Sequence, residues 1–278
     1  MSEDARTDKV IVTDALIGTF DILGATAIYA IEEKHNVEAI TMFLVESISH
    51  AIDAPKDELM RLAKESIIND DYIKELIKRT SSYVYADTIV FMCDVSELDG
   101  IKKQIAYEYF MAMSSEITRY MFMDGIPVRG CLSCGVAAIY KNECSVVVSG
   151  KAYVEAIRNA DNLEFSGTVL TDGFNESYNK NMKNLGAPMS CARQLPCAVK
   201  DKINNKVAFK KMWCLDWLDD TDFLKDGSDI RQLIVDSFAG HGKDVYGSVV
   251  DKINNTETVI RLFIAHRKAG KQCRCAVK

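Results

Sequence analysis

The sequence of 278 residues has no apolar run approaching the roughly 18–20 residues that cross a bilayer, which argues against a membrane protein. Its opening, Met1-Ser2-Glu3-Asp4-Ala5-Arg6, lacks the apolar core of a secretion signal. It has no excess of positive charge: 34 Lys and Arg against 40 Asp and Glu give -6, where a general nucleic-acid binder would show a basic surface. No G-x-x-x-x-G-K-[ST] string is present; Gly240-His241-Gly242-Lys243 has no strand–loop–helix frame, and the kinase signature set is missing too. These absences point to a cytoplasmic protein that binds neither membrane nor nucleic acid.

What is there is an ordinary globular composition, 48% apolar and 27% charged. The nine cysteines read as buried thiols of a reducing compartment. Cys131-Leu132-Ser133-Cys134 has C-x-x-C spacing, but no second pair or His cluster accompanies it, so core packing is the expectation. Cys273-Arg274-Cys275 is expected to be exposed and oxidisable.

Periodicity predicts a strand over Val10–Leu23, helices over Thr26–His35, Val37–Ala54 and Asp57–Arg79, and a hairpin over Ser81–Cys93 bent near Ala86-Asp87. A long helix follows over Leu98–Met123, then strands over Val128–Tyr140 and Ser145–Val148. A helix opens at Gly150, and Gly167–Thr171 is strand-like. This order suits an α+β sandwich, a mixed sheet with helices on one face. Beyond it, Asn175–Lys206 reads as polar loop, Lys206–Trp217 as strand, and Asp229–Phe238 and Thr256–Arg267 as helices. The string Asp-Lys-Ile-Asn-Asn occurs at both 201–205 and 251–255.

Two carboxylates sit beside apolar β-type runs, in Phe20-Asp21-Ile22-Leu23-Gly24-Ala25-Thr26 and Tyr85-Ala86-Asp87-Thr88-Ile89-Val90. Burying either charge alone is costly. Sharing a hard divalent cation removes that cost, because Mg²⁺ takes oxygens from one or two aspartates plus substrate phosphates. Gly24 then suits a tight strand-to-helix turn whose free N–H groups face phosphate. The plainer account makes Asp21 a strand-end residue and Asp87 a turn residue.

The ordered series F-D-I-L-G, Y-A-D-T-I-V, V-R-G-C-L-S-C-G and S-G-K-A-Y-V-E-A-I-R resembles the catalytic domain of the class III nucleotidyl cyclase superfamily. Within it, the series is similar to the bacterial antiphage Pycsar branch of uridylate and cytidylate cyclases. The resemblance implies a ferredoxin-like core with a mixed or antiparallel sheet over 1–175, and a C-terminal α/β extension over 176–278 supporting sheet and dimer. It implies two Mn²⁺ or Mg²⁺ ions per active site on Asp21, Asp87 and the Ile22 carbonyl, and a triphosphate cradle at Leu23, Gly24, Ala25 and Thr26. Arg129 would contact substrate, and Arg158 would act as the transition-state arginine, delivered by the second subunit of a homodimer.

Where purine cyclases of this family carry a base-reading lysine, this chain has Tyr83; the partner acidic position falls near Val147. A purine edge would be left poorly paired, so Tyr83 or Tyr85 facing a pyrimidine is the expectation. The asparagine expected four residues before Arg158 is Val154. Lys151, Lys210 and Lys211 are further candidate phosphate contacts. The activity implied is a phosphorus–oxygen lyase converting UTP to 3′,5′-cyclic UMP and pyrophosphate, an antiviral signal read by a separate effector protein. CTP as substrate, a binding module without turnover, and a cyclic dinucleotide synthase are the alternatives; no Gly-Gly-[Asp/Glu]-Glu-Phe string supports the last.

Overall fold

The computed structural model describes residues 10–29, 34–56, 59, 70–141, 146–181, 191–201, 203–218, 221–225 and 227–269. Its α+β architecture is built on β1 (Val10–Ile22), β2 (Thr80–Tyr85), β3 (Thr88–Asp94), β4 (Val128–Lys141), β5 (Val146–Ser149), β6 (Gly167–Leu170), β7 (Cys191–Lys200) and β8 (Val207–Asp216). They form one eight-stranded mixed sheet in the order β2-β3-β1-β4-β6-β8-β7, with β5 added to β4. Only the β4–β6 pairing is parallel among the described ladders.

The helices are α1 (Ala25–Tyr29), α2 (Lys34–Asp53), α3 (Asp70–Lys78), α4 (Gly100–Met123), α5 (Lys151–Asn162), α6 (Asp172–Asn181), α7 (Ile230–Ala239) and α8 (Ser248–Lys268). The Thr26–His35 prediction meets α1 at its start, and residues 30–33 lie outside the described set, as do 60–69 of the predicted Asp57–Arg79 helix. Cys273 and Cys275 also lie outside it.

Helices cover both faces of the sheet, not one. Every residue from Ala15 to Phe20 of the central strand is buried, so each side of β1 needs a cover. Leu16 and Phe20 pack in a large cluster with Ile105, Tyr109 and Phe110 of α4. Ala15 and Ile17 point the other way, against Ala152 and Ala156 of α5. The small residues let that helix lie close to the strands. A Cβ at Gly150, which caps α5, would meet the Val136 carbonyl oxygen at 2.6 Å.

Helix α4 is buried nearly all round, as expected of an interior helix. It ends in a Schellman motif: Gly125 adopts φ 78°, its N–H donates to the Phe122 carbonyl, and the Ile126 N–H donates to Met121. That turn feeds β4, and with it Arg129.

The segment read as loop over Asn175–Lys206 holds most of α6 and all of β7. Helix α6 is anchored by Phe174 and Tyr178, four residues apart and both fully buried, a two-residue signal too sparse to show periodicity. Strand β7 contains Pro196, which an edge strand tolerates because one N–H row faces outward. Strands β8 and β7 extend the same sheet beyond β6, and α8 lies against β7. There Arg267 Nε donates to the buried Asp216 carboxylate at 3.0 Å, with Arg193 Nε 3.6 Å from the same oxygen.

Candidate active site

Strand β1 ends at Ile22 because Gly24, with φ 80°, turns the chain into α1. The Leu23 N–H donates to the Pro127 carbonyl at 2.9 Å, and Ala27 and Ile28 N–H both donate to the Gly24 carbonyl. Among the described residues, no intramolecular acceptor is found for the N–H groups of Gly24, Ala25 and Thr26. Leu23 and Ala25 are buried, whereas Gly24 and Thr26 are exposed. The loop therefore presents backbone, held from beneath by apolar side chains.

The β2–β3 turn brings the second carboxylate to this place. Ala86, at φ 53°, makes the turn tight, and the Ile22 N–H donates to the Asp87 carbonyl at 2.9 Å. Asp21 is paired across the ladders with Thr88 on one side and Arg129 on the other. Burial raises the Asp21 pKa above the ordinary aspartate value; Arg129 opposes that shift, and the Asp87 and Asp161 carboxylates add to it. The Asp87 charge thus reaches Asp21.

Arg129 is directed at Asp21. Its Nε donates to Asp21 Oδ2 at 2.7 Å, and its Nη1 donates to the carbonyls of Asp161 at 2.8 Å and Leu163 at 3.2 Å. The guanidinium that the sequence suggests for substrate is engaged with the first carboxylate and the end of α5.

Register places the tyrosines. Tyr85 pairs with Thr88, which pairs with Asp21, so Tyr85, Thr88, Asp21 and Arg129 form a row on one face of the sheet. Tyr83 lies on that face one pair further along, opposite Val90. Tyr83 is half-buried and Tyr85 is exposed. The other face of β2 looks into a cleft of about 450 Å³ lined by Ala25, Thr26, Tyr29, Val84, Ala86 and Asp87 among others. Sequence reasoning passed over Tyr29. Its hydroxyl lies 3.4 Å from the Ala86 carbonyl, and burial together with the Asp87 charge raises its pKa. Its place four residues after Ala25, on the same side of the short helix, was the available signal.

Arg158 stands apart from this cluster, exposed on α5 in an open groove of about 400 Å³ with Lys151, Val154 and Asn159. Lys210 and Lys211, also exposed, line a different cleft with Glu155, Asn159 and Asp172. Cys131 and Cys134 face opposite sides of β4, in two separate clusters, so they cannot jointly hold a metal. Burial pushes both thiols up in pKa.

A divalent cation fits the carboxylate pair by donor chemistry. The Asp87 charge acts on Asp21, and Asp21 holds its proton more tightly than an ordinary aspartate, a cost that a cation would offset. Among the described residues no group of three or more His, Cys, Asp or Glu could complete a coordination shell. The remaining positions would fall to water and substrate oxygens.

No protein-family profile and no curated protein matches this chain. Solved structures similar to it include the catalytic core of a rhodopsin-guanylyl cyclase with converted specificity in complex with ATPalphaS, at 11% identity and TM-score 0.44, covering 75% of this chain and 98% of that one. The guanylate cyclase domain of RhGC from Catenaria anguillulae in complex with GTP matches at 12% identity and TM-score 0.41, over 74% and 97%. A bacterial light-regulated adenylyl cyclase matches at 12% and 0.45, over 84% of this chain and 59% of that one.

Proposed function

We propose that this chain is a metal-dependent nucleotidyl cyclase whose substrate is a pyrimidine nucleoside triphosphate, UTP before CTP. The observation that supports the reading is that the Asp87 carbonyl accepts from the Ile22 N–H, next to Asp21 and loop 23–26, while the Asp87 charge acts on Asp21. In the reaction the ribose 3′-oxygen bonds to the α-phosphorus, the bond from that phosphorus to the α–β bridging oxygen breaks, pyrophosphate leaves, and the 3′-hydroxyl proton passes to solvent water. Mg²⁺ or Mn²⁺, when bound, supplies the charge that acidifies the hydroxyl and neutralises the leaving group.

Asp21, Asp87 and the Ile22 carbonyl are the assigned ligands. Arg129 fixes the Asp21 carboxylate and opposes the rise that burial gives its pKa, a role that takes the place of direct substrate contact. The N–H groups of 24–26 receive the phosphates, and holding both reacting atoms of one substrate together is the main gain. Tyr83 and Tyr85 share a sheet face with Asp21, where a tyrosine can stack on or hydrogen-bond a small ring. Arg158 is assigned to the α-phosphate of a second subunit's site. Its exposed position in a groove with the exposed apolar Val154, and the exposed Val147 of β5, support a homodimer. The product is assigned to antiviral signalling through an effector protein.

Incubation of the purified chain with Mn²⁺ and each of the four ribonucleoside triphosphates tests the reading. Cyclic UMP or cyclic CMP is the expected product. Cyclic purine product overturns the base assignment, and nucleotide binding without turnover replaces the enzyme by a binding module. Val154, in place of the family's asparagine, is the residue that favours that second reading.

A further inference from the structure

A buried cation beside the loop 23–26, Lys243, comes from the far end of the chain. Segment 237–243 straps the end of α4: Ser237 Oγ donates to the Phe122 carbonyl at 2.6 Å, and His241 Nε2 lies 3.0 Å from the Asp124 carbonyl. Lys243 Nζ donates to the Gly125 carbonyl at 2.8 Å. The backbones touch, since a Cβ at Gly240 would lie 2.5 Å from the Gly125 oxygen.

The Lys243 side chain then runs against Gly24. A Cβ on Gly24 would stand 3.0 Å from Lys243 Cδ, so the lysine stem takes the space that a larger residue in the loop would fill. Lys243 is 9% exposed. An ammonium carries three donors, and the Gly125 carbonyl is the one acceptor found for them among the described residues. No carboxylate pairs with it among those residues, and burial, with no opposing charge, lowers its pKa to about 8. At neutral pH the group is still mainly charged. Buried charges are ordinarily paired, because an unpaired one is costly to keep from water.

We propose that Lys243 is a binding residue for a polyphosphate anion seated on the loop 23–26, and that this anion is its missing counter-ion. The inference rests on the reading of that loop as a phosphate cradle, and it names a residue from the C-terminal strap as part of it. A cap on the end of α4 alone would account for the Gly125 bond. It would not account for a cation at this loop with no carboxylate beside it among the described residues.

Calorimetric titration of the full chain with inorganic tripolyphosphate, without metal, tests the assignment. The wild type binds, Lys243→Met weakens binding by at least about tenfold, and Lys243→Arg restores it. Equal affinity in Lys243→Met, or no binding by the wild type, overturns the proposal. Should Lys243→Met fail to fold, ¹³C-lysine NMR of the wild type decides. The Lys243 resonance, assigned by its loss in Lys243→Arg, shifts on adding tripolyphosphate if the proposal holds and stays still if it does not. Cyclase assays separate the two readings. Lys243-dependent tripolyphosphate binding without cyclic product leaves this inference standing and removes the enzyme. Cyclic product with an unchanged KM in Lys243→Met does the reverse.

Discussion

Replacing Arg129 with Met separates the stability of the Asp21 pair from its appetite for metal, because the two respond in opposite directions. The Arg129 and Asp21 side chains are 19% and 16% exposed and meet at 2.7 Å. Removing one partner of a fully buried pair costs about 3–5 kcal/mol, and partial exposure reduces that to about 2–3 kcal/mol. For a chain of this size the loss corresponds to a fall in melting temperature of roughly 4–12 °C. The same change frees an oxygen of Asp21 and removes a positive charge from the cation's place. A single charge repels a divalent ion about 5 Å away by roughly 1.7 kcal/mol even at the dielectric constant of water, so Mn²⁺ binding tightens by about tenfold or more. Differential scanning calorimetry reads the first effect, and the electron paramagnetic resonance of free Mn²⁺ reads the second. Weaker or unchanged Mn²⁺ binding in a folded Arg129→Met protein would refute the assignment of Arg129 and metal to the same carboxylate.

Asp87→Asn should leave the melting temperature close to wild type and lower turnover about 10³-fold, some 4 kcal/mol of transition-state stabilisation; retained cyclic product would exclude Asp87 as a ligand. Burial raises the Asp21 pKa, so protons compete with Mn²⁺ at a higher pH than at an ordinary aspartate. On acidification Mn²⁺ affinity should therefore begin to decline at a higher pH than at an ordinary aspartate, and Asp21→Asn should abolish that step. Gly130→Ala places a Cβ 2.6 Å from Phe20 Cδ1 and 2.7 Å from Thr168 Oγ1. A loss of about 1–3 kcal/mol by urea unfolding is expected, and an unshifted midpoint would mean that this contact relaxes freely.

The strands and helices around the site were legible because their periods are strong. Val10–Ile22, the hairpin about Ala86-Asp87 and the stop of α4 at Gly125 all stand where apolar spacing and turn residues put them. The layering was not legible, because a strand buried on both faces shows no alternation, and Ala15–Phe20 is such a strand. The duplicated string shows the limit of local reading. At 201–205 Asp201 accepts the Ile203 N–H in a turn, leaving Ile203 96% exposed; at 251–255 the same five residues are helical and Ile253 is 1% exposed. Tertiary packing decides between them. At the site, Asp21 and Asp87 stood out as charges beside apolar runs. The attachment of Arg129 to Asp21 and the arrival of Lys243 under Gly24 depend on register and on a distant strap, which local sequence pattern does not encode.

The strap has a consequence for how the protein is made. Loop 23–26 leaves the ribosome early, yet its underside is completed by Lys243, and β6 gains its outer neighbour only when β8 emerges. At about 5–20 residues per second, the interval between Gly24 and Lys243 is on the order of 10–45 seconds. Throughout it the nascent chain carries loop 23–26 without the Lys243 stem against Gly24, so a product truncated before Lys243 would lack that contact.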